Sequence, residues 1–194
     1  MSWVVGIDEA GRGPLAGPVA VGLIRAPESF DILAAFPGLN DSKKLTEKAR
    51  ERLFVLLEER VNAGDISYSV ELRSAEDIDT KGIAVVIRDS IKSGLEALCD
   101  EEDKETKIWL DGSLSAPVHY TQETVIKGDS LIPSIMLASI AAKVTRDRLM
   151  CGVDAQYPQY GFAKHKGYGT KSHMDALRVH GLSDMHRKTF IHFV

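Results

Sequence analysis

Trp3-Val4-Val5-Gly6-Ile7-Asp8-Glu9-Ala10-Gly11-Arg12-Gly13-Pro14-Leu15-Ala16-Gly17-Pro18 is the stretch whose reading decides the fold. Residues 4–7 are apolar and mostly β-branched, which predicts a strand with Asp8 and Glu9 at its end. Adjacent carboxylates repel and raise each other's pKa. A divalent cation removes that cost. The glycines that follow let a backbone come close to a phosphate or a sugar. Pro14 and Pro18 exclude a regular helix, and residues 19–24 predict a second strand. Together they point to metal-assisted chemistry on a phosphodiester.

Outward from this turn, residues 46–63 predict a helix capped by Thr46, with Ala49, Leu53, Leu56, Leu57 and Val61 on one face. Residues 66–72 alternate apolar and polar, as a half-buried strand does. Residues 82–98 predict a second helix, with Ile83, Val86, Ile87, Ile91, Leu95 and Leu98 inward. The acidic run at 100–105 reads as a solvated connector. Short strands are expected at 107–110, delivering Asp111, and at 124–127. Residues 131–150 predict a long helix whose small side chains (Ala138, Ser139, Ala141, Ala142) suit close packing on a sheet. Beyond it only 171–180 predicts a helix. Strands alternating with helices define an α/β class. The 194 residues read as one domain, 1–194, with 151–194 as a basic C-terminal portion for binding substrate.

Hydrophobic residues make up 44% of the chain, enough for a sizeable core. No apolar run approaches the ~20 residues of a membrane span, and the N-terminus lacks a signal-peptide layout. Cys99 and Cys151 show no metal-type spacing and fit a reducing compartment, so a cytoplasmic enzyme is expected. The net charge of −4 is unevenly spread. Residues 143–194 hold nine Lys/Arg against four acids, and the remainder is net acidic. That polarity favours an oriented polyanion.

Several constellations compete. Gly11-x-Gly13-x-x-Ala16 formally matches a dinucleotide fingerprint, but Gly17-Pro18 and a β-rich run follow where a helix is required. Asp8, Glu9, Asp111 and Asp129 each stand at an expected strand end or helix start, where an α/β sheet gathers its ligands. Successive strand residues face opposite ways, so Asp8 and Glu9 share a site only if the strand stops and the turn re-aims Glu9. Taken alone, Asp129 fits a helix N-cap before Leu131 better than a ligand, and Asp111 fits a turn before Gly112. Asp147 is expected to pair with Lys143, one helical turn away. Residues 157–170 interleave aromatics with Lys and His, as nucleic-acid-binding surfaces do, where rings stack and cations meet phosphate. His165 and His173, eight apart with no cysteine pair, make a weak zinc motif.

In this order and spacing, Asp8 to Pro18, Asp41-Ser42-Lys43-Lys44-Leu45, Asp111-Gly112, Lys127-Gly128-Asp129-Ser130, the run from Ala138 to Asp147, and His165-Lys166-Gly167-Tyr168 resemble the bacterial type 2 ribonucleases H over nearly the full length. The resemblance implies a ribonuclease H-like fold: a central mixed β-sheet flanked by helices, with a helical C-terminal portion. It implies hydrolysis of the RNA strand of RNA/DNA hybrids and cleavage at single ribonucleotides embedded in DNA, leaving 5′-phosphate and 3′-hydroxyl ends. Asp8, Glu9, Asp111 and Asp129 match the metal-binding carboxylates, for two Mg²⁺ or Mn²⁺ ions. Gly11, Arg12 and Gly13 match a backbone turn that senses the ribose 2′-hydroxyl, and a Cβ at 13 is expected to collide with the sugar or re-aim Glu9. Ser42 and Lys43 match contacts to the nucleic-acid backbone, and Tyr168 a tyrosine that stacks beside the junction sugar. Ser113 stands where the family often has Asn. A monomer with no membrane association is expected. The alternatives are a nuclease or integrase of the same fold class acting on all-DNA duplex, and a hybrid-binding module with a vestigial metal site.

Overall fold

In a computed structural model describing residues 2–100 and 106–192, five strands form one mixed sheet. They are β1 (Trp3–Ala10), β2 (Val19–Pro27), β3 (Ser67–Arg73), β4 (Lys107–Asp111) and β5 (Thr121–Val125), in the order β3-β2-β1-β4-β5. β1, β2 and β3 meander antiparallel, whereas β4 runs parallel to β1 and β5 parallel to β4. The helices are α1 (Ile32–Ala35), α2 (Glu47–Asn62), α3 (Ala75–Lys81), α4 (Ile83–Leu98), α5 (Pro133–Asp154), α6 (Phe162–His165) and α7 (Lys171–His180).

Strand alternation sorts the core into two layers. Val5, Ile7, Val21 and Leu23 meet Val86, Ile87, Ile91 and Leu95 of α4. On the opposite face, α5 lies so close that a Cβ at Gly6 would stand 2.2 Å from the carbonyl carbon of Ser134, and one at Gly22 2.3 Å from the oxygen of Ala138. The small residues of α5 and the two glycines thus let helix and sheet backbones touch. α2 covers the outer side of α5 with Leu53, Phe54 and Leu57.

The main elements fall where periodicity placed them, with shifts at the ends. β1 runs on through Ala10. The fifth strand is Thr121–Val125 rather than 124–127, because residues 126 and 127 already turn into a 3₁₀ helix at Gly128–Ser130. The long helix starts at Pro133, with proline in its first turn, and extends to Asp154. α1, α3 and α6 are short and carry no periodic signal, although Asp31 caps α1 and Ser74 with Asp77 forms a capping box on α3. The connector expected at 100–105 lies, from 101 on, outside the described residues. Among the described residues no helix is long and apolar enough to cross a membrane.

Candidate active site

β1 and β4 are parallel neighbours, and their carboxyl ends deliver Asp8 and Asp111 side by side, in the register Ile7↔Leu110. Asp129 comes from the 3₁₀ turn before α5. Left-handed Lys127 opens that turn, and the Asp129 amide donates to Asp111 Oδ1 at 3.3 Å. One carboxylate oxygen each from Asp8, Asp111 and Asp129 lies within 4.8 Å of the others. Asp129 is no helix cap: Ile132 holds that position and has no side-chain cap. Asp147 pairs with Lys143 at 2.8 Å, as expected.

Glu9 reaches the cluster differently from the expectation. The strand does not stop: Glu9 and Ala10 stay in register with Val21 and Ala20. Glu9 therefore points to the opposite face from Asp8. It sits outside the three-carboxylate group, in the field of Asp111 and 3.4 Å from the Arg12 guanidinium.

The electrostatics describe a site lacking positive charge. Burial, reinforced by Glu9 and Asp111, pushes Asp8 up to about 8, although a hydrogen bond from Ser139 works the other way. Burial also raises Glu9, opposed by Arg12. Lys43 supplies one counter-charge, with its Nζ 2.8 Å from Asp129 Oδ2; that hydrogen bond raises the lysine pKa. Hard oxygen donors converging at such a spacing fit Mg²⁺ or Mn²⁺ and exclude a thiolate- or imidazole-type zinc site.

Ser42 turns its side chain inward. Its side chain is buried, 5% exposed, and its hydroxyl is 2.9 Å from Ser139 Oγ. Ser139 in turn bonds Asp8. Ser42 thus braces Asp8 from behind, while Lys43 remains exposed at the rim.

The glycine turn is backed by two buried arginines that the sequence reading left without a role. Arg187 donates to the carbonyls of Gly11 (2.7 Å), Arg12 (3.0 Å) and Gly17 (2.9 Å). Arg146 donates to those of Pro18 (2.8 Å) and Ala16 (3.1 Å). Five carbonyls are thereby drawn inward. Gly11 has φ +84°, and a Cβ there would lie 2.0 Å from Arg146 Nε. Gly13 has no atom within 4 Å of an added Cβ, so the expected re-aiming of Glu9 has no intramolecular cause. Arg146 was detectable as a charge on the buried face of α5, four residues on from Ala142; Arg187 gave no such signal.

Tyr168 presents its ring at 46% exposure beside this turn. Its amide donates to the His165 carbonyl at 2.9 Å, and its carbonyl lies 2.9 Å from His173 Nδ1. His173 Nε2 lies 3.0 Å from His186 Nε2, and His186 Nδ1 accepts from the Ser183 amide at 2.9 Å. These partners require both rings to be neutral, with His186 donating to His173. The His165 ring stacks on His173 at 4.4 Å, and its nitrogens meet the Tyr160 carbonyl and the Gly167 amide. The histidines therefore hold a turn rather than a zinc ion.

Burial, with His173 and His165 nearby, depresses His186 to about 4, and burial lowers His173 too. The fold thus disfavours their protonation. The unfolded chain takes up protons first as pH falls below ~6.5, so this contribution to stability is complete above that pH and is lost as pH falls toward 4. The thermal midpoint is expected to drop over that window. His186→Gln, which keeps a donor and cannot titrate, should flatten the profile measured by calorimetry.

This sheet order, with carboxylates meeting near the ends of parallel neighbours, is that of a ribonuclease H-like fold. Residues 5–193 match the ribonuclease HII family. A ribonuclease HII of Desulfitobacterium hafniense is 44% identical over 187 residues, covering 96% of this chain and 68% of that protein. One of Ruminiclostridium cellulolyticum is 43% identical over 190 residues, covering 98% and 70%. The crystal structure of the ribonuclease H2 from Pyrococcus horikoshii, 26% identical, matches with a TM-score of 0.77 over 96% of this chain and 93% of that one. The chain belongs to the ribonuclease HII family and has the ribonuclease H-like fold. It is a divalent-metal-dependent ribonuclease H, a hydrolase acting on RNA/DNA hybrids.

Proposed function

We propose that this protein, acting through one catalytic domain, cleaves at single ribonucleotides embedded in duplex DNA as well as in continuous hybrids. The observation carrying this reading is the juxtaposition of the carboxylate cluster with a turn five of whose carbonyls, those of Gly11, Arg12, Ala16, Gly17 and Pro18, accept from Arg146 and Arg187. Such a turn leaves its outer edge to a close-approaching sugar, and the 2′-hydroxyl is the group that separates RNA from DNA.

Asp8, Asp111 and Asp129, with Glu9 alongside, would hold two Mg²⁺ or Mn²⁺ ions. When bound, the ions would lower the pKa of the attacking water and stabilise the leaving oxygen. Water adds to phosphorus, the P–O3′ bond breaks, and the 3′-oxygen departs and is protonated, leaving a 5′-phosphate. Lys43 exchanges its contact with Asp129 for a backbone phosphate as the substrate arrives. Gly11, Arg12 and Gly13 read the ribose through their backbone. Tyr168, its backbone pinned on both sides, presses its ring on the adjacent deoxyribose. The basic residues of 151–194 hold the duplex.

The deciding experiment is a duplex with one ribonucleotide, incubated with Mg²⁺, Mn²⁺ or EDTA and sized on a gel. A single cut 5′ to the ribonucleotide is expected with metal and none with EDTA; equal cutting of all-DNA duplex overturns the reading. Tyr168→Ala should lower kcat/KM for the single-ribonucleotide duplex by about 5- to 150-fold, the worth of one stacked ring. The continuous hybrid should lose much less. An equal loss on both would make Tyr168 a general binding residue.

A further inference from the structure

We propose that the cleft between α4 and the turn after β4 is a subsite for one backbone phosphate of the substrate, next to the scissile one on the same strand. The proposal rests on the nuclease reading above. The cleft has a volume of about 190 Å³, and its polar walls are Arg12, Arg88, Ser113 and Ser115 over a floor that includes Ile87 and Leu114. A water occupies about 30 Å³ in the liquid, so a phosphodiester and a few waters fit.

Three observations select an anion. Two guanidinium groups line a small space, and no acidic side chain lines it. Arg88 has no ion-pair or hydrogen-bonding partner among the described residues, and the hydroxyls of Ser113 and Ser115 have no hydrogen-bond partner there either. Arg12 has only the 3.4 Å contact to Glu9. Guanidinium forks and hydroxyl donors together are the chemistry of phosphate recognition.

Position selects a neighbouring phosphate. Arg12 is three residues from Glu9, and Ser113 two from Asp111, so Ser113 cannot stand more than about 7 Å along the chain from Asp111. The cleft therefore begins, on the α4 side of the sheet, within two residues of Asp111 and three of Glu9, at the reach of an adjacent nucleotide. It continues into a second cleft of about 440 Å³ that shares Arg88 and Ser115. There Asp89 joins the wall, and Lys92 is occupied by Glu96 at 3.7 Å. Asp89 and the Lys92–Glu96 pair offset the charge of the second cleft, so the excess of positive charge lies in the first, where Arg12 joins Arg88, and one phosphate is assigned rather than a longer track.

The test combines a variant with a neutral-backbone scan. Arg88→Ala removes an exposed side chain, and Arg60→Ala, paired with Asp65 on α2, serves as the charge control. Arg88→Ala is expected to raise KM for the single-ribonucleotide duplex about 5- to 20-fold with kcat little changed, and to lower the salt slope of binding by about 1. Arg60→Ala should do neither. Methylphosphonate is then placed at each linkage flanking the ribonucleotide. At one linkage the substitution should weaken the wild type as Arg88→Ala does, and should weaken Arg88→Ala no further. Effects that multiply at every linkage, or an unchanged salt slope, overturn the subsite. A wild-type protein that neither binds nor cleaves the unmodified duplex overturns the nuclease reading instead.

Discussion

Asp8→Asn is expected to lower cleavage by at least about 10³-fold while raising the thermal midpoint of the metal-free protein. The two effects share one cause. Asp8 is buried against Glu9 and Asp111, and its carboxyl is pushed up to about 8. Its folded-state pKa lies above the unfolded value near 4, so the protonated form favours folding. That contribution is complete below pH 4 and is lost as pH rises toward 8. At neutral pH without metal the folded protein keeps Asp8 mostly protonated while the unfolded chain ionises it, so the buried carboxyl costs the fold stability. Asparagine keeps the shape and stays neutral, so a midpoint gain of about 3–10 °C is expected, the worth of one to a few kcal/mol in a chain of this size. It also deletes the charge that would hold the cation, and such charge stabilisation is typically the largest contribution to rate. Calorimetry in EDTA and single-turnover cleavage check the two halves. Near-wild-type cleavage would remove Asp8 from the metal site, and an unchanged midpoint would show that its burial costs nothing.

Gly11→Ala should do the most damage to the turn. The left-handed φ of +84° costs an L-residue about 1–2 kcal/mol, and the new Cβ must displace the Arg146 side chain from 2.0 Å. Overpacking adds about 1–3 kcal/mol. A midpoint loss of about 5–15 °C follows, together with a fall in kcat/KM of about 10²-fold on ribonucleotide substrates from misplacement of the turn. Gly13→Ala is the informative comparison. Its Cβ meets no protein atom within 4 Å, so the midpoint should hold, and any loss of activity reports contact with the substrate itself. If Gly13→Ala destabilises as much as Gly11→Ala, the turn is held otherwise than Arg146 and Arg187 indicate.

Much of this was legible because it is local. The alternation at 66–72 and the apolar stripe of 82–98 specify a strand and a helix through side-chain periodicity, and Thr46 caps its helix wherever that helix packs. The small residues of 131–150 announced a close approach to the sheet, which Gly6 and Gly22 complete from the other side. Glu9 was harder. Whether β1 stopped at Asp8 depended on pairing with β2, and the register Glu9↔Val21 keeps the strand running. The inward turn of Ser42 is likewise invisible until Ser139, 97 positions away, is brought to its hydroxyl.

By itself the sequence determined the class of fold, the acidic strand end and the glycine turn, and it offered Asp8, Glu9, Asp111 and Asp129 as candidates, because periodicity, turn chemistry and motif spacing act over a few residues. Only the tertiary structure decided which carboxylates share a centre, that Arg187 reaches back 176 positions to the Gly11 carbonyl, and that His173 and His186 meet as a neutral pair. Burying those polar groups is tolerable only when each finds its partner, and those partners come from segments that only the folded chain brings together.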